Sequence, residues 1–264
     1  MISFWTRHFI LPKGVHHTIQ SILTRFLWKG SLAVGGAKVA WVDLCLPKEE
    51  GGLGIPNPAT WNEAQILSHL WKIVNKDCSS LWVNWIIHSV VKQNSFWLLP
   101  IPTNCSWIWR KLLSLRDSAK AHIRFRIRNG ASTLLWLDPW YNSTTIATCS
   151  TDPIISHLGS SPQALVSDWI SHGHWVIPEP VSSQRRSGIR FGNWLATFAY
   201  PTVFTSSDVL FWDSVSGHNV TVRLIWDSIR LRGGGVPWWW GSLVFCCLVQ
   251  TGGPSLPTSF LACL

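Results

Sequence analysis

Between His122 and Arg128 basic and apolar side chains alternate without a break, and Asn129-Gly130 follows at once. This alternation has the period of a β-strand, whose successive side chains point to opposite faces. Asn-Gly between such runs is a strong signal for a two-residue hairpin turn. The segment therefore predicts a basic β-hairpin over 121–141, with Thr133–Leu137 as the returning strand. In that register Arg126 lies opposite Thr133 and Arg124 opposite Leu135. His122, Arg124, Arg126 and Arg128 share one face, and Ile123, Phe125 and Ile127 share the other with Trp136 and Leu134. One face seals onto a core; the other presents three guanidinium groups.

The stretch from Arg110 to Arg128 holds most of the chain's charge surplus. In all, 22 Lys and Arg stand against 13 Asp and Glu, a net charge of +9. Arg110, Lys111, Arg116, Lys120, Arg124, Arg126 and Arg128 are opposed by Asp117 alone. Stacked guanidinium groups without acidic partners repel each other unless an anion lies across them. A phosphate backbone suits that role, since each neutralised phosphate releases counterions. Trp107, Trp109 and Trp140 flank the patch as candidate platforms for unpaired bases. The plainer alternative is a solvated basic face with those indoles in the core.

Composition limits the remaining classes. Charged residues are 13% of the 264 and tryptophans number 20, a profile opposite to that of disordered chains. The length suffices for one large domain or two small ones. No apolar run reaches the ~18 residues that span a bilayer. Arg7 arrives too early for a signal-peptide core. Seven scattered cysteines without a Cys-x-x-Cys suit reduced thiols rather than a disulfide framework. The expectation is an intracellular protein of nucleus or cytoplasm, neither secreted nor membrane-spanning.

Four helices are expected before the hairpin. Residues 14–29 carry an apolar stripe of Val15, Ile19, Ile22, Leu23 and Phe26. Thr60 and Glu63 form a capping box ahead of Ala64, Leu67, Trp71 and Val74. Ser80 caps a helix to about Lys92 with Trp82, Trp85, Ile86 and Val90 inward. Ser106 caps another to about Ala119. After a Ser/Thr/Pro-rich linker over 142–163, Asp208–Trp212 is expected to pair with Asn219–Val222, followed by a short helix. From Gly233 to Leu264 no Asp, Glu, Lys, Arg or His occurs. The fold class is α+β: a helical part over 1–120, the hairpin, and a mixed C-terminal part.

Motifs for chemistry are sparse. Two-metal polymerase or nuclease chemistry needs clustered carboxylates, and the nine Asp and four Glu are mostly isolated. Asp138, beside the basic patch, is read as a turn or ion-pair residue. Gly30–Lys38 has a displaced lysine and no following Ser or Thr, so it is no phosphate loop. His172-Gly-His174 lacks further ligands at metal spacing and reads as a surface loop. No catalytic residue, metal ligand, cofactor or small-molecule substrate is evident.

The order of several motifs adds a resemblance. Leu11-Pro-Lys13, Arg25-Phe-Leu-Trp-Lys-Gly30, Lys38-Val-Ala-Trp41 and Leu44-Cys-Leu-Pro-Lys-Glu-Glu-Gly-Gly-Leu-Gly-Ile55 are followed by Trp61-Asn62, Leu70-Trp71-Lys72-Ile73, Leu81-Trp-Val-Asn-Trp85 and Ser106-Trp-Ile-Trp-Arg-Lys-Leu112. Gly130-Ala-Ser-Thr133 and Asp138-Pro-Trp140 complete the series. Over about 1–140 this string resembles the region downstream of the polymerase core in plant LINE-type (non-LTR) retrotransposon reverse transcriptases. Asp208-Val-Leu-Phe-Trp212 and Val220–Arg230 resemble the opening of the zinc-binding region that follows, placing such a region over 164–232 and a divergent tail over 233–264. The resemblance implies a thumb-side, connection-like piece between two functional modules. It places the polymerase Asp-Asp motif upstream of Met1 and the zinc ligands beyond the similar region. No ribonuclease H acidic set is evident. The expected function is non-catalytic contact with RNA or DNA; the alternative is an inert pseudogene product.

Overall fold

The computed structural model describes residues 2–29, 39–92, 95–141, 146, 160–176, 201–213, 215–216 and 219–233. Residues 30–38, most of the expected 142–163 linker and the expected tail beyond Gly233 lie outside the described residues. Helices come first and short antiparallel strands follow, so the class is α+β. The chain forms two compact units, one from 1–66 with 222–264 and one from 67–221.

In the first unit, α1 (Ile2–His8) leads to α2 (Lys13–Lys29) and the short α3 (Trp41–Leu44). Trp28, Trp41, Leu44 and Cys45 form a buried cluster, with Leu23 and Leu27 against it. Burial pushes the Cys45 thiol up to about 12. The expected α2 stripe is only partly buried: Val15, Ile22 and Phe26 are exposed. The packed side keeps Leu23 of that stripe and adds Leu27 and Trp28.

The next helix, α4 (Pro58–Val74), begins earlier than the proposed Thr60 box. Asn57 accepts the Ala59 amide at 2.9 Å, and Pro58 takes the first turn, where its missing N–H costs nothing. Further along α4, buried Asn62 donates to the Thr6 and Phe9 carbonyls and accepts the Leu11 amide. This fixes the chain between α1 and α2. The C-terminal helix α8 (Val222–Ile229) returns to this unit. Its Trp226 meets Trp61 edge-on, and Arg230 forms a two-pronged contact with Glu50 at 2.5 and 2.8 Å.

In the second unit, α5 (Leu81–Trp85) runs into a π-helical turn over Ile86–Val91. Val83 and Ile86 are buried while Trp82 and Trp85 are exposed, and the wider turn shifts burial from the expected Val90 to Val91. Ser80 makes no side-chain cap. Ser106 does, accepting the Trp109 amide at the start of α6 (Trp107–Ser114). Leu115 breaks the expected long helix, and α7 (Arg116–His122) runs directly into β1 (Ile123–Arg126).

The predicted alternation in β1 is present: Ile123 and Phe125 are buried, Arg124 half-buried and Arg126 exposed. The predicted partner is not. The antiparallel partner of β1 is β4 (Val209–Trp212), with Arg124 opposite Phe211 and Arg126 opposite Val209. Thr133–Leu137 instead runs beside Ala164–Ser167, with Leu135 donating to the Ala164 carbonyl and Val166 to that of Thr133. A type I′ turn needs positive φ at both central residues, and here Gly130 has it (69°) while Asn129 does not. His172-Gly173 satisfies the requirement with φ of 51° and 79°. It turns the hairpin of β2 (Ile170–Ser171) and β3 (His174–Trp175). On its other edge β4 pairs with β5 (Val215–Ser216), not with Asn219–Val222.

Candidate nucleic-acid interface

The β1–β4 ribbon determines what becomes of the arginine row. Directly paired residues of antiparallel strands project to the same face, so Arg124 and Arg126 share theirs with Phe211 and Val209. The Arg126 guanidinium lies over the Phe211 ring, 4.7 Å from its centroid. Such a cation–π contact holds the group flat without neutralising it. Arg124 donates to the carbonyls of Ile123 (2.9 Å) and Lys120 (3.3 Å). Arg128 lies beyond the strand end and donates to the Ser206 hydroxyl at 3.0 Å. The fourth member of the row, His122, stacks on Trp212 and contacts Asp213 at 3.2 Å. Of the four, His122 is the one turned to a carboxylate among the described residues.

The supporting cations divide sharply. Arg110 and Lys111 are exposed on α6, with Arg110 donating to the Thr103 carbonyl at 2.7 Å. Trp107, 51% exposed, lies on the same helical side three and four residues earlier. Arg116 has a different use. It donates to the Phe96, Trp97 and Leu99 carbonyls and, through Nε, to that of Leu113. Burial pulls its pKa below the ordinary value, partly offset by Asp117. Lys120 is placed over the Trp97 ring at 5.2 Å, and burial likewise lowers its pKa. Both cations are structural fasteners of the segment preceding α6, because their donors or charge are already directed at protein groups.

Two of the three candidate stacking indoles are inside the fold. Trp109 is 8% exposed and packs edge-on to Phe96; Trp140 is 7% exposed, stacks on Trp175 and donates to the Leu135 carbonyl. Their faces are covered by protein, which corrects the sequence expectation for both. Trp107 keeps an open face.

Asp208 is a site residue that no catalytic or binding motif in the sequence marks. Its Oδ1 accepts the amides of Arg128 (2.7 Å) and Gly130 (2.9 Å), and its Oδ2 accepts the Ser132 amide and the Ser132 and Thr133 hydroxyls. Successive amides converging on one point form an anion-binding concavity. Burial raises the Asp208 pKa, but these donors outweigh it and hold the carboxyl below its usual range. The available signal was an isolated acid opening an apolar run, Asp208-Val-Leu-Phe-Trp212.

Asp138 has the expected turn role, accepting the Leu134 amide at 2.7 Å, and also takes the Trp97 indole N–H at 2.6 Å. Burial pushes its carboxyl up to about 6 against the pull of those donors and of Lys76 and Lys120. Among the described residues no group of three His, Cys, Asp or Glu could hold a metal ion. No described helix is long and apolar enough to cross a membrane.

Comparison with known proteins adds one partial likeness. The chain is 30% identical over 139 residues to a curated Arabidopsis thaliana protein named "Putative ribonuclease H protein". The match covers 50% of this chain and 22% of that protein. No protein-family model matches, and no solved structure matches.

Proposed function

We propose that this chain is a non-catalytic piece of a plant LINE-type retrotransposon reverse transcriptase that contacts RNA or DNA through the basic surface of α6 and β1. The observation that carries this reading is the electrostatic state of Arg110, Lys111, Arg124, Arg126 and Arg128. Among the described residues none of the five forms an ion pair. The partners of the four arginines are carbonyls, a hydroxyl and an aromatic ring, which orient cations while leaving their charge uncompensated. The Arabidopsis likeness agrees with a transposable-element origin, and the motif order supports a thumb-side role for 1–120 and a zinc-binding-like region opening over 164–232. A nuclear or cytoplasmic location follows from that origin.

Phosphate contacts position a nucleic acid without reading its sequence, so the expected binding is broad and salt-dependent. Trp107 adds a stacking face beside Arg110 and Lys111 on one side of α6. The test is the affinity of the full chain for single-stranded RNA and duplex DNA across a salt series, with and without Arg124→Gln, Arg126→Gln and Arg128→Gln combined. The triple variant should bind both more weakly, and the slope of log affinity against log salt should shrink by about 1 per lost contact. An unchanged slope and affinity would remove β1 from the interface.

A further inference from the structure

A cleft of about 610 Å³ opens within the 67–221 unit, a size that accommodates a nucleotide-sized ligand. Phe96, Trp97, Phe125 and Leu210 contribute apolar wall, while Asn75, Ser132 and Gln163 contribute polar groups. Four charged residues line it: Lys76, Lys92, Asp138 and Asp208. The two carboxylates are engaged internally, Asp208 by five donor contacts and Asp138 by two. The two lysines are exposed and form no ion pair among the described residues.

Both lysines also occupy backbone positions suited to glycine. Lys76 follows α4 with φ of 51°, in a Schellman-type ending where its amide donates to Ile73 and that of Asp77 to Lys72. Lys92 closes the π-helical turn with φ 53° and ψ −121°, a region that side chains disfavour. A glycine would relieve the backbone strain at each position. Two lysines with this backbone cost therefore line a single cleft.

We propose that this cleft binds a nucleoside phosphate monoester, with Lys76 and Lys92 as the phosphate contacts and the apolar wall against the nucleoside. A compact ammonium is a point-charge partner for a phosphate dianion. The same chemistry is offered by a free mononucleotide and by the 5′-phosphorylated end of a strand. The site uses none of the arginines of the proposed nucleic-acid surface and stands or falls separately from it.

The glycine preference makes the test clean. The full chain is titrated with AMP, with a 5′-phosphorylated octanucleotide and with its 5′-hydroxyl counterpart, alongside a Lys76→Gly, Lys92→Gly variant. The parent should bind AMP or prefer the phosphorylated strand to the hydroxyl one. The variant should lose at least about tenfold of that affinity or preference while its thermal midpoint stays equal or rises. Binding of AMP without preference for the phosphorylated strand identifies a free nucleotide; preference for that strand identifies a strand end. If the glycine pair proves unfolded, Lys76→Gln with Lys92→Gln carries the same expectation. Equal binding by parent and folded variant overturns the proposal, as does a parent that neither binds AMP nor distinguishes the two strands.

Discussion

The Gly130 amide donates to the Asp208 carboxylate at 2.9 Å across 78 residues of sequence. Asp208 thereby fills the anion-binding concavity of the 128–133 loop with a group of the protein's own, immediately before the strand that pairs with β1. Gly130 is also sterically confined: a Cβ there would sit 2.7 Å from the Ser167 amide nitrogen, at a φ of +69°. The Ser167 amide donates to the Gly130 carbonyl at 3.0 Å, so the loop, this bond and the strand pairing form one mechanical unit.

Asp208→Asn should therefore destabilise the chain by about 2–4 kcal/mol, because an amide cannot accept from all the donors two carboxylate oxygens now serve. The midpoint of urea denaturation measures this. RNA affinity should not fall while the protein remains folded, since the guanidinium contacts of Arg124 and Arg126 do not involve Asp208.

Glu50 gives the first unit an acid-sensitive clasp. The Arg230 hydrogen bond and the Gly233 amide hold its carboxyl down at about 2. A depressed folded pKa stabilises above the unfolded value, near 4.3, and that contribution is lost as pH falls toward 2. Glu50→Gln should lower stability at neutral pH and flatten the pH profile between about 4.5 and 2. A pH series of thermal midpoints for both proteins checks the prediction.

Asp138 has the opposite sign. Its folded pKa of about 6 lies above the unfolded value, so its contribution is greatest below about pH 4 and declines as pH rises through 6. The change amounts to about 3 kcal/mol at 1.36 kcal/mol per unit. Asp138→Asn removes this titration and leaves either the Leu134 amide or the Trp97 indole without an acceptor. The stability difference between parent and variant should shrink on going from pH 4 to pH 7, as read by denaturant midpoints.

The tryptophans separate binding from folding. Trp107→Ala should cost single-stranded RNA about 1–3 kcal/mol of affinity with little change in stability. Trp140→Ala should instead destabilise by about 3–5 kcal/mol, through a cavity beside Trp175. Paired anisotropy titrations and thermal melts on each variant distinguish the two outcomes.

Much of the local structure is legible in the residues themselves. The Ser106 cap, the apolar run of α4 and the two-residue period of β1 each depend on neighbours within a few positions. Exposed Arg126 and buried Phe125 follow from that period alone. Arg116 was not legible as a structural residue, because the carbonyls it binds at 96, 97 and 99 become available only when that segment packs beside the start of α7. Trp109 and Trp140 could equally have faced solvent or core, and only the neighbours Phe96 and Trp175 decide.

The basic and apolar sides of β1 are intrinsic to the chain, since alternation assigns successive residues to opposite faces whatever strand lies alongside. Which strand does lie alongside is a tertiary matter. Asn129-Gly130 offers a turn, but a turn competes with every other use of its amides. Asp208 claims the Gly130 amide, together with those of Arg128 and Ser132 on either side, and brings Val209–Trp212 with it. A carboxylate satisfying several donors at once outweighs the local preference of a dipeptide, and its position 78 residues from Gly130 leaves no mark in the pattern around that dipeptide.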